Sequence, residues 1–252
     1  MSWRHAVLLL FLVAVTLAVF MLPAISQNEA YHNFADQREL IGIPNCLNVV
    51  SNGLFLVFGI MGIRYVGSKS PTDRTSFIDP VHWLAYLLFF IAVAATSLGS
   101  SYYHLHPDDA RLVWDRLPMA VGFLSLVAAI VCERTTPKNG ARYLLLLPLC
   151  GAWSVYYWHA TQDLRPYVIA QFGSLLALIL LMVLFPARYT RSADLMISLA
   201  WYGLAKILEA ADRPIFSMGR IVSGHTLKHI AAAISAYWIL RMLELRRPLA
   251  AN

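Results

Sequence analysis

Charge is what this sequence has least of. Aspartate, glutamate, lysine and arginine make up 13% of the 252 residues, where a soluble domain carries about 25%. That scarcity excludes an ordinary water-soluble fold. Cysteine is rarer still. Cys46, Cys132 and Cys150 lie in apolar surroundings without CxxC spacing, which argues against a cysteine metal site and reads as three small buried hydrophobes. The HExxH signature of a helical zinc protease is missing, because Thr226-Leu227-Lys228 separates His225 from His229. There is no internal repeat and no low-complexity tract. The longest connections, about 26–45 and 67–80, leave no room for a second domain.

What the chain has instead is long apolar runs. Hydrophobic residues reach 59%, and runs of roughly spanning length recur at about 6–25, 46–66, 81–104, 116–132, 143–160, 167–185, 193–211 and 223–243. Backbone groups in hydrocarbon must be paired within the segment, so these runs predict helices; an outer-membrane barrel would alternate residue by residue. The expected fold is all-α and polytopic, a seven-transmembrane-helix core over 28–252 preceded by an additional N-terminal transmembrane helix over 1–27. The first run is long for a signal peptide and is read as a retained helix or uncleaved anchor.

Lysine and arginine placement orients the bundle. With eight spans, twelve fall on one side: Arg4; Arg64, Lys69 and Arg74; Arg134, Lys138 and Arg142; Arg188 and Arg191; Arg241, Arg246 and Arg247. Six fall on the other: Arg38, Arg111, Arg116, Arg165, Arg213 and Arg220. Both termini are therefore expected in the cytoplasm. This bias accounts for the net charge of +6, and no nucleic-acid partner is expected.

The polar residues within the runs gather at one level. Ser100 and His104 close one run, Asp115 opens the next, and His225 and His229 begin the last. Each pair is spaced i,i+4 and shares a helix face. Three neutral imidazoles leave one position open on a tetrahedral ion, the arrangement of a catalytic zinc. With no HExxH glutamate, the water-activating base must come from elsewhere, and Asp115 is the candidate. Lys206 and Glu209 are spaced to pair, and Glu209 or Asp212 is a candidate to orient a metal-bound histidine. His5, His82 and His159 read as interfacial, His106 as facing away, and Asp108 and Asp109 as solvated turn residues. Trp3, Trp83, Trp114, Trp158, Trp201 and Trp238 read as interface anchors. Asn48, Ser51 and Asn52 are placed to hydrogen-bond across helices.

Taken together, Ser100-x3-His104, Asp115 eleven residues on and His225-x3-His229 in the last run resemble the alkaline ceramidase family, part of the CREST group of seven-helix membrane hydrolases that includes the adiponectin and progestin receptors. The resemblance covers about 28–243. Tyr31-His32-Asn33-Phe34-Ala35-Asp36-Gln37-Arg38, Gly42-Ile43-Pro44-Asn45 and Arg111-Leu112-Val113-Trp114-Asp115-Arg116-Leu117-Pro118 are similar to bacterial members. It implies zinc on His104, His225 and His229, with Ser100 and Asp115 as catalytic residues around the metal-bound water. It also implies ceramide or a related N-acyl lipid as the membrane partner, and a bacterial inner membrane as the location. A lipid esterase or phospholipase on the same scaffold, and a receptor that keeps the metal without turnover, fit the same residues. Eukaryotic ceramidases also bind calcium before the first core helix. Here that region offers Asn28, Glu29, Asp36, Glu39 and Asn45, too few acids for the six to eight oxygens calcium takes, so calcium is not expected.

The orientation is open to a direct check. Single cysteines introduced between 105 and 114 and near Arg247, in a background without Cys46, Cys132 and Cys150, are expected to react with an impermeant reagent from opposite sides of the membrane. The 105–114 position should react from outside intact cells. Labelling of both from one side would mean that the span count is wrong.

Overall fold

In the computed structural model, which describes residues 2–71, 76–135 and 140–249, the chain is an all-α polytopic membrane protein. Arg74 and Lys138, two of the arginines and lysines used to orient the bundle, lie outside the described residues. The long helices are α1 (Trp3–Met21), α2 (Cys46–Gly67), α3 (Pro80–Leu105), α4 (Asp109–Thr135), α5 (Gly140–Thr161), α6 (Arg165–Leu184), α7 (Asp194–Ala210) and α9 (Gly224–Leu245); a short α8 (Asp212–Gly219) follows α7. The eight long helices coincide with the eight apolar runs. Five of them, α1, α2, α3, α4 and α6, are long and apolar enough to cross a membrane on length and composition alone. The others fall short for physical reasons. Polar and aromatic residues dilute α5, α7 has 17 residues, and α9 carries the histidines and Lys228.

Local chemistry sets where each helix begins. Asp79 caps α3 by accepting from the Val81 amide at 2.8 Å, with Pro80 at the first position, where its missing N–H costs nothing. Ser223 caps α9 by accepting from the Thr226 amide at 3.1 Å, which fixes the phase of the helix two residues before His225. Pro118 and Pro148 lie inside α4 and α5. A π turn at Ile169–Gly173 interrupts α6, the kind of local irregularity that often marks a functional wall.

The core helices α2, α3, α4, α6, α7 and α9 surround an interior in which α3 packs on α4, α2 on α3, and α9 on both α2 and α7. Helix α5 packs outside α4, and α1 has no buried residue, though its Val7 and Leu8 pack against the core and its His5 against Phe185. The apolar core lies toward the end away from the histidines, around Tyr86, Phe90, Leu178, Ile239 and Leu240. At that end Arg246 meets Glu133 at 2.5 Å, ringed by Phe77, Tyr86 and Tyr189. Three expectations change here. Cys150 on α5 is exposed rather than buried, because α5 packs on the bundle along one face only. His82 is buried at 2% exposure, with Nδ1 at 3.0 Å from the Tyr189 hydroxyl, and is not interfacial. Trp158 is wholly buried rather than part of the aromatic belt. His82 and Trp158 sit near helix ends, where side chains can turn inward as readily as toward headgroups.

One close approach fixes the site. A Cβ on Gly99 would collide with the Trp114 carbonyl, so this residue lets α3 and α4 meet where Ser100 and Asp115 face each other. Gly151 brings α5 against the other side of α4 in the same way, its Cβ position 2.6 Å from the Ala120 oxygen. We expect Gly99→Ala to force the two helices apart, at a cost of about 1–3 kcal/mol, and to lower the melting temperature in detergent. An unchanged melting temperature would show that this contact is not limiting.

Candidate metal centre

The last two turns of α3, the second turn of α4 and the first two turns of α9 end at one level, and their polar side chains converge there. His104, His225 and His229 are buried, and one ligating nitrogen from each lies within 4.8 Å of the other two. The ring centroids are 4.8 to 4.9 Å apart pairwise. The Nε2 atoms of His104 and His225 are 3.3 Å apart. Two nitrogens on a tetrahedral zinc at 2.0–2.1 Å would be separated by about 3.3–3.4 Å. The group therefore fits a metal ion: three imidazoles at ligand spacing, with His229 also lining a cavity.

The helices also fix the rings. The Ser51 hydroxyl donates to the Asn48 carbonyl at 3.1 Å, so its free lone pairs face His229 Nδ1 at 2.8 Å. His229 Nδ1 therefore carries the proton, and its Nε2 keeps a lone pair for an ion. The neighbouring Asn48 Oδ1 accepts from the Thr226 hydroxyl at 2.8 Å, tying α2 to α9 one turn away. Asn48 and Ser51 thus bond across helices as expected, while Asn52 bonds to Asn48 within its own helix. Asp212 orients His225 through its backbone, Oδ1 accepting from the His225 amide at 2.8 Å; it does not touch the imidazole. On α3, Asn45 donates to the His104 carbonyl at 2.9 Å.

Ser100 and Asp115 are both buried beside this group, and the Ser100 hydroxyl faces the Asp115 carboxylate. They open onto a cavity of about 160 Å³ that also reaches His229, Tyr31, Lys228 and Glu209. Glu209 does more than pair with Lys206. It also holds Lys228 at 2.6 Å and accepts from the Tyr31 hydroxyl at 3.3 Å. Phe55, Thr96, Met119, Tyr202 and Ala232 are shared with a second cavity of about 90 Å³ that continues toward Phe89, Val93, Phe123 and Ala236. Ser100 and Phe89 are eleven residues apart on α3, about 16 Å along the axis. The combined space has a polar head and an apolar tail.

The segment between α1 and α2 closes the water side. Its Phe34 ring lies 4.7 Å from His104 and 4.4 Å from His225. His32 anchors it, with Nδ1 at 2.9 Å from the Tyr103 hydroxyl and Nε2 at 3.1 Å from Asp109. Asp109 is therefore a half-exposed partner rather than a free turn residue. A tight turn with positive φ at Ile41 and Gly42 folds the chain back before α2. Asp36 is occupied by Arg38, whose guanidinium holds its carboxyl below the usual carboxylate range. Asn45 is turned to His104. Among the described residues, the three histidines alone form a cluster of metal-ligating spacing.

Sequence reasoning placed the five convergent residues. It missed Phe34, Tyr31 and the Lys228–Glu209 pair, although the two ionisable groups inside runs were themselves a signal. No known family profile matches the chain, and no curated protein matches it significantly.

The metal content gives a direct test. Protein purified without chelator is expected to hold close to one divalent ion per chain by elemental analysis, and His229→Ala should lose most of it. Metal-free wild type under those conditions would remove the site.

Proposed function

We propose that this protein is a zinc-dependent intramembrane hydrolase that cleaves the amide of ceramide or a related N-acyl lipid and releases a fatty acid. The observation that carries the reading is a carboxylate and a hydroxyl, Asp115 and Ser100, lining one cavity with His229 beside three convergent imidazoles, at the head of a space with an apolar tail. Holding a metal requires neither residue; moving a proton requires at least one. The resemblance to alkaline ceramidases points the same way.

His104, His225 and His229 would hold the ion. When bound, zinc polarises a carbonyl and acidifies water. The rest of the chemistry belongs to the chain. Asp115 accepts the proton from the attacking water and delivers it to the amine nitrogen as the C–N bond breaks. Before the proton moves, the Ser100 hydroxyl serves as a donor to the facing Asp115 carboxylate. Once Asp115 carries the proton, it becomes the donor in that pair. The Ser100 proton is then free to turn toward the carbonyl oxygen as negative charge builds there. The apolar tail between α3, α4 and α9 takes the acyl chain and keeps bulk water away. The arginine and lysine bias supports a site near the exoplasmic face with both termini in the cytoplasm, and the resemblance to bacterial members supports a bacterial inner membrane.

Asp115→Asn keeps the shape and removes the base. It is expected to lower fatty-acid release by two orders of magnitude or more, roughly the contribution of a positioned acid–base group, while metal content stays near that of wild type. Matched amide and ester lipids, followed by mass spectrometry with His225→Ala as control, test the bond cleaved. Cleavage of the ester alone would make the protein a lipid esterase. No cleavage of either, with metal retained, would make it a receptor.

A further inference from the structure

Arg116 follows Asp115 on α4 and lines the same cavity. It is 5% exposed, and among the described residues no carboxylate pairs with it. Nη2 donates to Gln27 Oε1 at 2.7 Å, whereas Nη1 is buried without any hydrogen-bond partner. Trp158, Tyr167 and Tyr31 surround the guanidinium, their ring centroids 4.3, 4.8 and 5.5 Å from its central carbon. Aromatic faces attract a cation but do not replace the oxygen its N–H groups need. The rings therefore hold the charge in place and leave a donor open.

The anions nearby are already engaged. Glu209 answers Lys206 and Lys228, and Asp115 faces the Ser100 hydroxyl. The cavity wall thus carries three cations, Arg116, Lys206 and Lys228, against two anions, Asp115 and Glu209. A buried, charged donor left open in a cavity wall is costly unless a ligand completes it.

We propose that Arg116 receives an oxyanion on the amine side of the lipid, so that the substrate is an anionic N-acyl lipid bearing a carboxylate or phosphate rather than neutral ceramide. This rests on the amide-hydrolase reading above. The planar guanidinium fork suits both groups. Arg116 and Asp115 line the same cavity, so an anion held by the guanidinium shares that space with the nitrogen that Asp115 protonates. The apolar tail runs from the same point toward Phe89, so the acyl chain and the charged head part at the scissile bond.

The test uses purified protein with its metal and lipids sharing one acyl chain, whose amine-side heads end in a hydroxyl, a carboxylate or a phosphate. Rates are compared with thermal stabilisation by non-cleavable ether analogues of the same three lipids. Wild type is expected to favour an anionic head roughly tenfold or more in kcat/KM, with stabilisation by the anionic ethers exceeding that by the neutral one. Whichever anion wins identifies the head. Arg116→Gln should bring the anionic-to-neutral ratio close to one, and Arg116→Lys should keep part of it. Equal rates and equal stabilisation by all three heads in wild type would overturn the proposal, as would a preference that survives Arg116→Gln. If Arg116→Gln does not fold, the wild-type comparison and Arg116→Lys decide. If no lipid is cleaved, the hydrolase reading fails, while the ether series still decides whether Arg116 selects an anion.

Discussion

Hydrocarbon offers no water to a polar group, and the fold follows from that constraint. An ionisable side chain inside this bundle needs a partner, in the protein or in a ligand. The molecule meets the requirement at two levels. At one, Glu209 gathers Lys206, Lys228 and the Tyr31 hydroxyl, beside the histidines and Asp115. At the other, Arg246 at the end of α9 meets Glu133 on α4 within a ring of aromatics. Between the levels lies the apolar core. Separating the levels leaves the middle of the bundle apolar.

The wall of that middle region is not uniform. Helix α9 packs closely on α7 and α2, and α3 packs closely on α4. Among the described residues, no comparably close backbone packing joins α6 to α7. Side chains bridge this seam: Gln171 donates to the Tyr202 hydroxyl at 2.5 Å, and Lys206 lies over the Phe172 ring. Both contacts involve the π turn of α6, where the helix is wider than elsewhere. A seam closed by side chains opens by changing rotamers, whereas the α3–α4 contact at Gly99 opens only by moving helices.

What could be read from the chain was whatever depends on distance along it. Apolar run length placed the eight long helices, and four-residue spacing put His225 beside His229 and Ser100 beside His104. Hydrophobic length also placed the three run ends at one level. What could not be read depends on the rotation of one helix against another. Trp158 and His82 sit at helix ends, where the same residue serves an interface or a core, and only packing decides between them. Phe34 lies in a connection without periodicity, and nothing in its neighbours marks it as the ring that covers His104 and His225. Lys228 was visible as a charge inside a run, but its partner nineteen residues earlier on α7 depends on the α7–α9 contact.

The position of Phe34 bears on how an ion would leave. The three imidazoles have almost no exposure, and this ring lies against two of them from the water side. A soluble chelator therefore cannot approach His104 and His225 from that side while the 28–45 segment is docked. The residence time of a bound ion would be governed by how often that segment lifts, held down as it is by His32 on Tyr103 and Asp109 and by Ala35 on Asp212, and not only by the strength of three nitrogen ligands. Retention would then be a kinetic property of a connecting loop, separable from affinity.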